Sequence, residues 1–333
     1  MTAKKIHDWA LKNGMRSAVV GIAGLTAVRD RLDRLRAEGA LDAKFVQESL
    51  SGFRYLDGCR VERPRAVILL ALPRPAHIVT FQFKDGDQEF ILPPTYEEYR
   101  PTFDRICAQL RADFGASPSE VDLVSVPLKS LAAWAGLIRY GKNNLGYVPG
   151  WGSYIQLIAL ATGFPAARRG KLSDIESRDL ERCGSCRACL NACPTGAITP
   201  ARFMLHAERC YTLFSESPEP IPDTMPVPSP RCLMGCLKCQ EVCPDNKGLL
   251  KYERTGVVFS RPETEAMLQD PLEKEERIWK DIRDKFVPLG VSDDVRLFAR
   301  NLRVLTSRTG KEGDPELEAP SPGSPTHPPD REA

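Results

Sequence analysis

Histidine is scarce in this chain, four residues in 333, and the four form no pattern, so a histidine-built metal or acid–base site finds no support. An excess of either charge is missing as well. Lys and Arg number 46 against 44 Asp and Glu, a formal net charge of +2. That balance removes any global electrostatic case for nucleic acid or an anionic membrane and leaves only local basic faces. Long apolar runs are also lacking, since nothing approaches the roughly 20 residues needed to span a bilayer. The stretch from Ser17 to Val28 is interrupted by Gly21 and Gly24, begins late for a signal sequence and has no small-residue cleavage pattern behind it; it reads as a strand and loop. With no twin-arginine pattern either, the expectation is a cytoplasmic protein without a membrane partner, in a compartment that keeps thiols reduced.

Thiols, by contrast, are abundant. Of eleven cysteines, nine fall between Cys183 and Cys243. The first motif is Cys183-x2-Cys186-x2-Cys189-x3-Cys193 followed by Pro194. The second is Cys236-x2-Cys239-x3-Cys243 followed by Pro244, and Cys210 and Cys232 lie between the two. Clustered thiols in a reducing compartment point to metal rather than disulfides. A [4Fe-4S] cubane needs four converging thiolates; a C-x2-C-x2-C turn delivers three, while the Cys-Pro cysteine serves the other cluster. The crossed sets are Cys183, Cys186, Cys189 and Cys243 for one cluster, and Cys193, Cys236, Cys239 and either Cys210 or Cys232 for the other. Zinc knuckles also use C-x2-C pairs, but three cysteines at two-residue intervals ahead of Cys-Pro are poor zinc geometry. Cys59 and Cys107 stand alone and read as buried structural thiols.

The rest of the chain divides by pattern into a first domain (1–170), a ferredoxin-like cysteine domain (171–255), a helical region (256–308) and a disordered Pro-, Gly-, Ser- and Glu-rich tail (309–333). In the first domain, "IHDWALKNGM" and "AVRDRLDRLRAEGAL" read as an amphipathic helix and a charged surface helix. "RAVILLALPRP" reads as a buried strand, "TFQFKDGDQEFIL" as a hairpin about Asp85-Gly86, and "TYEEYRPTFDRICAQLRADFG" as another helix. The mixture gives an α+β fold. Between residues 121 and 163 the apolar stretches are broken by Gly136, Gly141, Gly146, Gly150 and Gly152, a density that lets backbone approach a ligand closely. Lys142, Asn143 and Asn144 are polar candidates inside this block. Tyr140, Tyr147, Trp151 and Tyr154 offer flat faces. The basic stretch 167–172 reads as a solvated loop.

"LAAWAGLIRYGKNN", then Gly152-Ser153, "CGSCRACLNACPTGAI", "ERCYTLFSE" and "GCLKCQEVCPDN", in that order over residues 60 to 250, resemble the epoxyqueuosine reductase family, relatives of the reductive dehalogenases. The resemblance implies a nitroreductase-like domain holding cobalamin, followed by a bacterial-ferredoxin-like domain whose two [4Fe-4S] clusters feed electrons to the cobalt. It favours Cys210 over Cys232 as a ligand and implies cofactor contacts at Gly136, Tyr140, Gly141, Lys142, Asn143, Gly152 and Ser153. It also implies that Asp122 is the proton donor, with a pKa raised by enclosure. Around Asp122 the family reads Val-Asp-Thr-Gly-Pro-Val-Leu-Glu-Arg, whereas this chain has "VDLVSVPLK". The family's Asp-Tyr-His stretch is replaced by "LPPTYEEYRP", and no helical repeat array follows the clusters.

The expected function is therefore a corrinoid-dependent reductase that removes a group from a small molecule or modified nucleoside, with tRNA as a further partner the resemblance implies and a ferredoxin or flavodoxin as electron donor. The alternative is an electron-transfer module that reduces a partner protein or its corrinoid. Either way, anaerobically purified protein should carry about eight irons and eight acid-labile sulfides per chain. Stoichiometric zinc without sulfide would end the cluster reading.

Overall fold

The computed structural model describes residues 2–94, 99–115, 120–165, 180–200, 204–269, 276–291 and 295–308. The basic stretch 167–172 and the tail 309–333 lie outside the described residues. In chain order the described strands are β1 (Arg16–Gly21), β2 (Ala66–Pro73), β3 (Ala76–Phe83), β4 (Gly86–Leu92), β5 (Val121–Leu123), β6 (Arg139–Tyr140), β7 (Gly146–Tyr147), β8 (Ile155–Thr162) and β9 (Tyr252–Phe259).

A continuous apolar strand needs cover on both faces, and β2 receives it. It pairs antiparallel with β8 from Ala66↔Thr162 to Pro73↔Ile155, in a sheet ordered β1-β2-β8-β5. Because side chains alternate across a strand, Val67, Leu69 and Ala71 point with Leu157 and Ala159 into one core, under the helices Ile22–Ala37 and Leu128–Trp134. Ile68, Leu70 and Leu72 point with Ile158 and Leu160 into the other, under Ala3–Lys12 and Tyr99–Phe114. Helices thus cover both faces of the sheet. The loop expected after Val20 is absent: β1 ends at Gly21, whose extended backbone caps the helix Ile22–Ala37 directly.

The expected hairpin is β3–β4. Its other neighbour is β9, which pairs parallel with β3 across the division expected at 255/256. The helices Arg261–Gln269, Glu276–Phe286 and Val295–Arg308 close over this second sheet. Phe259 stacks on Phe81 with centroids 4.5 Å apart, and the ring series continues through Phe286 (4.8 Å) to Phe298 (4.7 Å). The cysteine segment is sewn into the same body. The Ile91 amide donates to the Arg231 carbonyl at 2.7 Å and the Leu233 amide to the Ile91 carbonyl at 2.9 Å, while Leu233 and Met234 pack in the Phe259 core. Buried Asn301 donates to the Ser215 carbonyl at 3.0 Å, and the Ser215 hydroxyl accepts from the Gly235 amide at 2.8 Å. Among the described residues no helix is long and apolar enough to cross a membrane.

Phe259 is fully buried between the rings of Phe81 and Phe286, so Phe259→Ala leaves a cavity at the joint of hairpin, β9 and C-terminal helices. Chemical denaturation should show a loss of about 3–5 kcal/mol.

Candidate double-cluster metal centre

Both cysteine loops have the same local design. The short helix Ala188–Ala192 ends at Cys193, whose backbone is extended (φ −78°, ψ 107°). Lys238–Glu241 is followed by Cys243, likewise extended (φ −75°, ψ 124°), and Pro244 opens a tight turn. Proline biases its predecessor toward this conformation, and the change of direction sends each Cys-Pro thiol away from its own loop. Cys183, Cys186, Cys189 and Cys243 line one cavity. Cys193, Cys210, Cys236 and Cys239 line a second. Cys232 lines neither; it is buried with Ala76, Ile91, Tyr154 and Leu237 in a small apolar cluster. Among the described residues no three such side chains close on a single ion.

The donor chemistry fits such a group. Burial pushes the Cys189 thiol up to about 11, with Cys183, Cys243 and Cys186 adding to the shift. Cys239 is raised well above the ordinary thiol range by burial and by Cys236, Cys210, Cys189 and Cys193. Thiols that resist ionisation because of burial and of one another become stable thiolates when a cationic core sits among them. Cys193 differs. Burial pushes it up, but bonds from the Thr195 side chain and the Thr195, Ala197 and Ile198 amides hold it below the ordinary range.

The glycine block grips the cysteine loops. Lys142 Nζ donates to the carbonyls of Gly184 (2.8 Å) and Cys186 (2.9 Å). Asn143 Nδ2 donates to the Tyr147 hydroxyl (2.8 Å) and the Cys239 carbonyl (3.3 Å), and Asn143 borders both cysteine cavities. The Ser153 amide donates to Asn246 Oδ1 (2.9 Å), and its hydroxyl donates to Gln240 Oε1 (2.9 Å). Gly141 borders the first cysteine cavity beside Tyr147. Gly136, at φ 67°, ends the helix Leu128–Trp134. Gly152, at φ 65°, lies so near Asn246 and the Asp245 carbonyl that a Cβ would meet that oxygen at 3.2 Å. The close approach expected of this glycine is to the loop beyond Cys243, not to a bound cofactor.

A larger cavity of about 630 Å³ lies beside the second cysteine cavity, itself about 360 Å³. Of the expected contact residues, Tyr140 and Ser153 border it. Burial pushes the Tyr140 hydroxyl up to about 12, against an opposing bond to Ser130. Val28, Leu32 and Leu35 supply one wall and Phe45, Leu50 and Phe53 another. Those residues escaped the sequence reading. The spacing of 28, 32 and 35 does mark an apolar stripe on a helix otherwise read as a charged surface element. Lys129 also borders this space. Its side chain lines both cavities, and solvent reaches part of it. Burial pulls its pKa down, with Cys210, Glu216 and Cys239 opposing the fall.

Asp122 is placed differently from expectation. It sits on edge strand β5, paired with Ala161, and borders neither cavity. Arg60 donates to it from its backbone amide (2.9 Å), Nε (3.1 Å) and Nη2 (2.7 Å). Burial alone would raise this carboxyl, as expected, but the Arg60 hydrogen bonds and charge outweigh it and hold the pKa below the usual carboxylate range. Such a group is an ionised partner rather than a stored proton.

Comparison with known proteins agrees with this geometry. The family described as "4Fe-4S double cluster binding domain" matches residues 182–246. The epoxyqueuosine reductase of Bacillus subtilis is 36% identical over 131 residues, 39% of this chain and 32% of that protein. That of Burkholderia pseudomallei is 30% identical over 253 residues, 72% of this chain and 56% of that protein. The matches therefore span about a third to just over half the length of these relatives. A crystal structure of epoxyqueuosine reductase with an epoxyqueuosine-modified tRNA stem loop superposes with a TM-score of 0.62 at 21% identity, covering 91% of this chain and 80% of that one. The fold and paired cysteine loops define a double [4Fe-4S] protein with an α+β domain. More narrowly, the chain belongs to an epoxyqueuosine reductase-like family.

Gly152→Val forces a side chain against Asn246 and the turn after Cys243. Iron and labile sulfide should fall by half or more relative to wild type. Full iron content in this variant would show that the turn yields without harm to the clusters.

Proposed function

We propose that this chain is a corrinoid-dependent reductase. Cys183, Cys186, Cys189 and Cys243 hold an outer cluster, and Cys193, Cys210, Cys236 and Cys239 hold an inner one. The observation that carries the reading is that the inner cysteine cavity shares a wall with a larger, mostly apolar space. An electron carrier alone has no use for such a space. Its volume lies in the range of cofactor sites, and no histidine is among the described residues that line it.

A bound corrinoid would supply the electron-transfer chemistry at cobalt that lets a carbon–oxygen or similar bond be cleaved reductively. The chain supplies the rest. Val28, Leu32, Phe53 and Leu157 exclude water from one side of the space, and Tyr140 offers a ring face. Cys183, Cys186 and Cys189 lie on a partly exposed loop, where a low-potential carrier such as ferredoxin or flavodoxin delivers electrons one at a time. The substrate class is an oxygen-bearing organic group, in the first instance a modified nucleoside, by analogy with the epoxyqueuosine-modified stem loop in the structural relative. Removal of an epoxide oxygen as water consumes two electrons and two protons.

Cluster-loaded protein mixed with cobalamin should retain about one corrinoid per chain through gel filtration, followed by its visible spectrum. Leu157→Trp fills the cavity and should abolish retention while iron content stays unchanged. Wild-type protein with full clusters and no retained corrinoid would transfer the assignment to an electron-transfer module.

A further inference from the structure

The inner cysteine cavity and the large cavity share the wall residues Phe45, Lys129, Asn144, Leu145 and Met204. Among these, Lys129 alone is charged. Its backbone is fixed by the helix Leu128–Trp134, whose Leu131, Ala132, Ala133 and Trp134 are buried in the first core. Its Nζ donates to the Asn144 carbonyl at 3.1 Å. Asn144 is in the left-handed region (φ 60°), and its amide reaches Met204 Sδ at 3.9 Å, so the acceptor is held by its own contacts. The ammonium therefore stands at a fixed place on the partition, within electrostatic range of Cys210 and Cys239.

A cluster becomes one unit more negative each time it accepts an electron. A fixed cation beside the cluster stabilises that reduced state and raises the potential. The outer cavity also has a lysine, Lys142, but its Nζ is engaged with two loop carbonyls and it is no part of the wall shared with the large cavity.

We propose that Lys129 is a positioning charge that sets the potential of the inner cluster and so directs electrons toward the large cavity. The proposal rests on the reading that clusters fill the two cysteine cavities, and it is independent of what fills the large one.

The test uses anaerobic, cluster-loaded full-length protein without corrinoid. Iron and sulfide are measured first; wild type lacking them refutes the cluster reading itself rather than the role of Lys129. Redox titration followed by electron paramagnetic resonance then gives both midpoints, the inner signal being assigned by its loss in Cys236→Ser. At the wild-type inner midpoint, Lys129→Met should lower the ratio of reduced to oxidised inner cluster about tenfold, equivalent to about 59 mV for one electron. Lys129→Arg should restore the ratio, and the outer midpoint should stay in place in both variants. An unmoved inner midpoint in Lys129→Met overturns the proposal. Should that variant fail to assemble, Lys129→Gln and Lys129→Arg are compared, and equal inner midpoints in those two overturn it equally.

Discussion

Asn246 holds the two halves of the cofactor region in register. Its Oδ1 accepts from the Ser153 amide at 2.9 Å, and its Nδ2 donates to the Ser153 hydroxyl at 2.8 Å and the Gln240 carbonyl at 3.0 Å. Asn246 and Ser153 are 3% and 5% exposed, so no water can replace a lost partner cheaply. One end of this knot fixes the turn that aims Cys243 across at the first loop. The other fixes the entry to β8 and thereby the central sheet. Lys142 and Asn143 add bonds of the same kind, from the glycine segment to the backbone of both cysteine loops. The α+β domain and the cluster domain are thus one electrostatic and geometric unit, and the cysteines are placed by residues far from them in sequence.

The features legible in the sequence are those whose physics is local. Cysteine spacing speaks directly because a three-thiol turn and a Cys-Pro exit are set by a dozen consecutive residues. The apolar run of β2 and the hairpin at Asp85-Gly86 are legible for the same reason. What escaped depends on distant partners. β9 reads "YERTGVVF", polar and half exposed, and is a strand only because β3 offers its parallel edge. Asp122 looks like a free acid until Arg60 folds against it from 62 positions away. The large cavity takes its walls from three separated segments, so no single window of sequence displays it.

The same distinction applies to the glycine block. Density of glycine correctly marked a place of close approach, but approach to what is not written in the composition. At Gly152 the neighbour is a protein loop. Ser153, the next residue, and Tyr140, earlier in the block, border the open space instead. One short segment therefore faces two ways, gripping the cluster loops with one side and walling the large cavity with the other.

The parallel pairing of β3 with β9 governs the order in which the molecule can be made. The hairpin β3–β4 is finished by residue 92, yet the strand that covers its free edge is not synthesised until residue 259, after every cysteine has been translated. The intervening chain is the loop whose closure entropy opposes that pairing, and ordering this loop around its inorganic cores reduces the penalty. Metal delivery is thus coupled to completion of the fold. Until β9 arrives, the hairpin presents a bare sheet edge and the Phe81 face that Phe259 later covers.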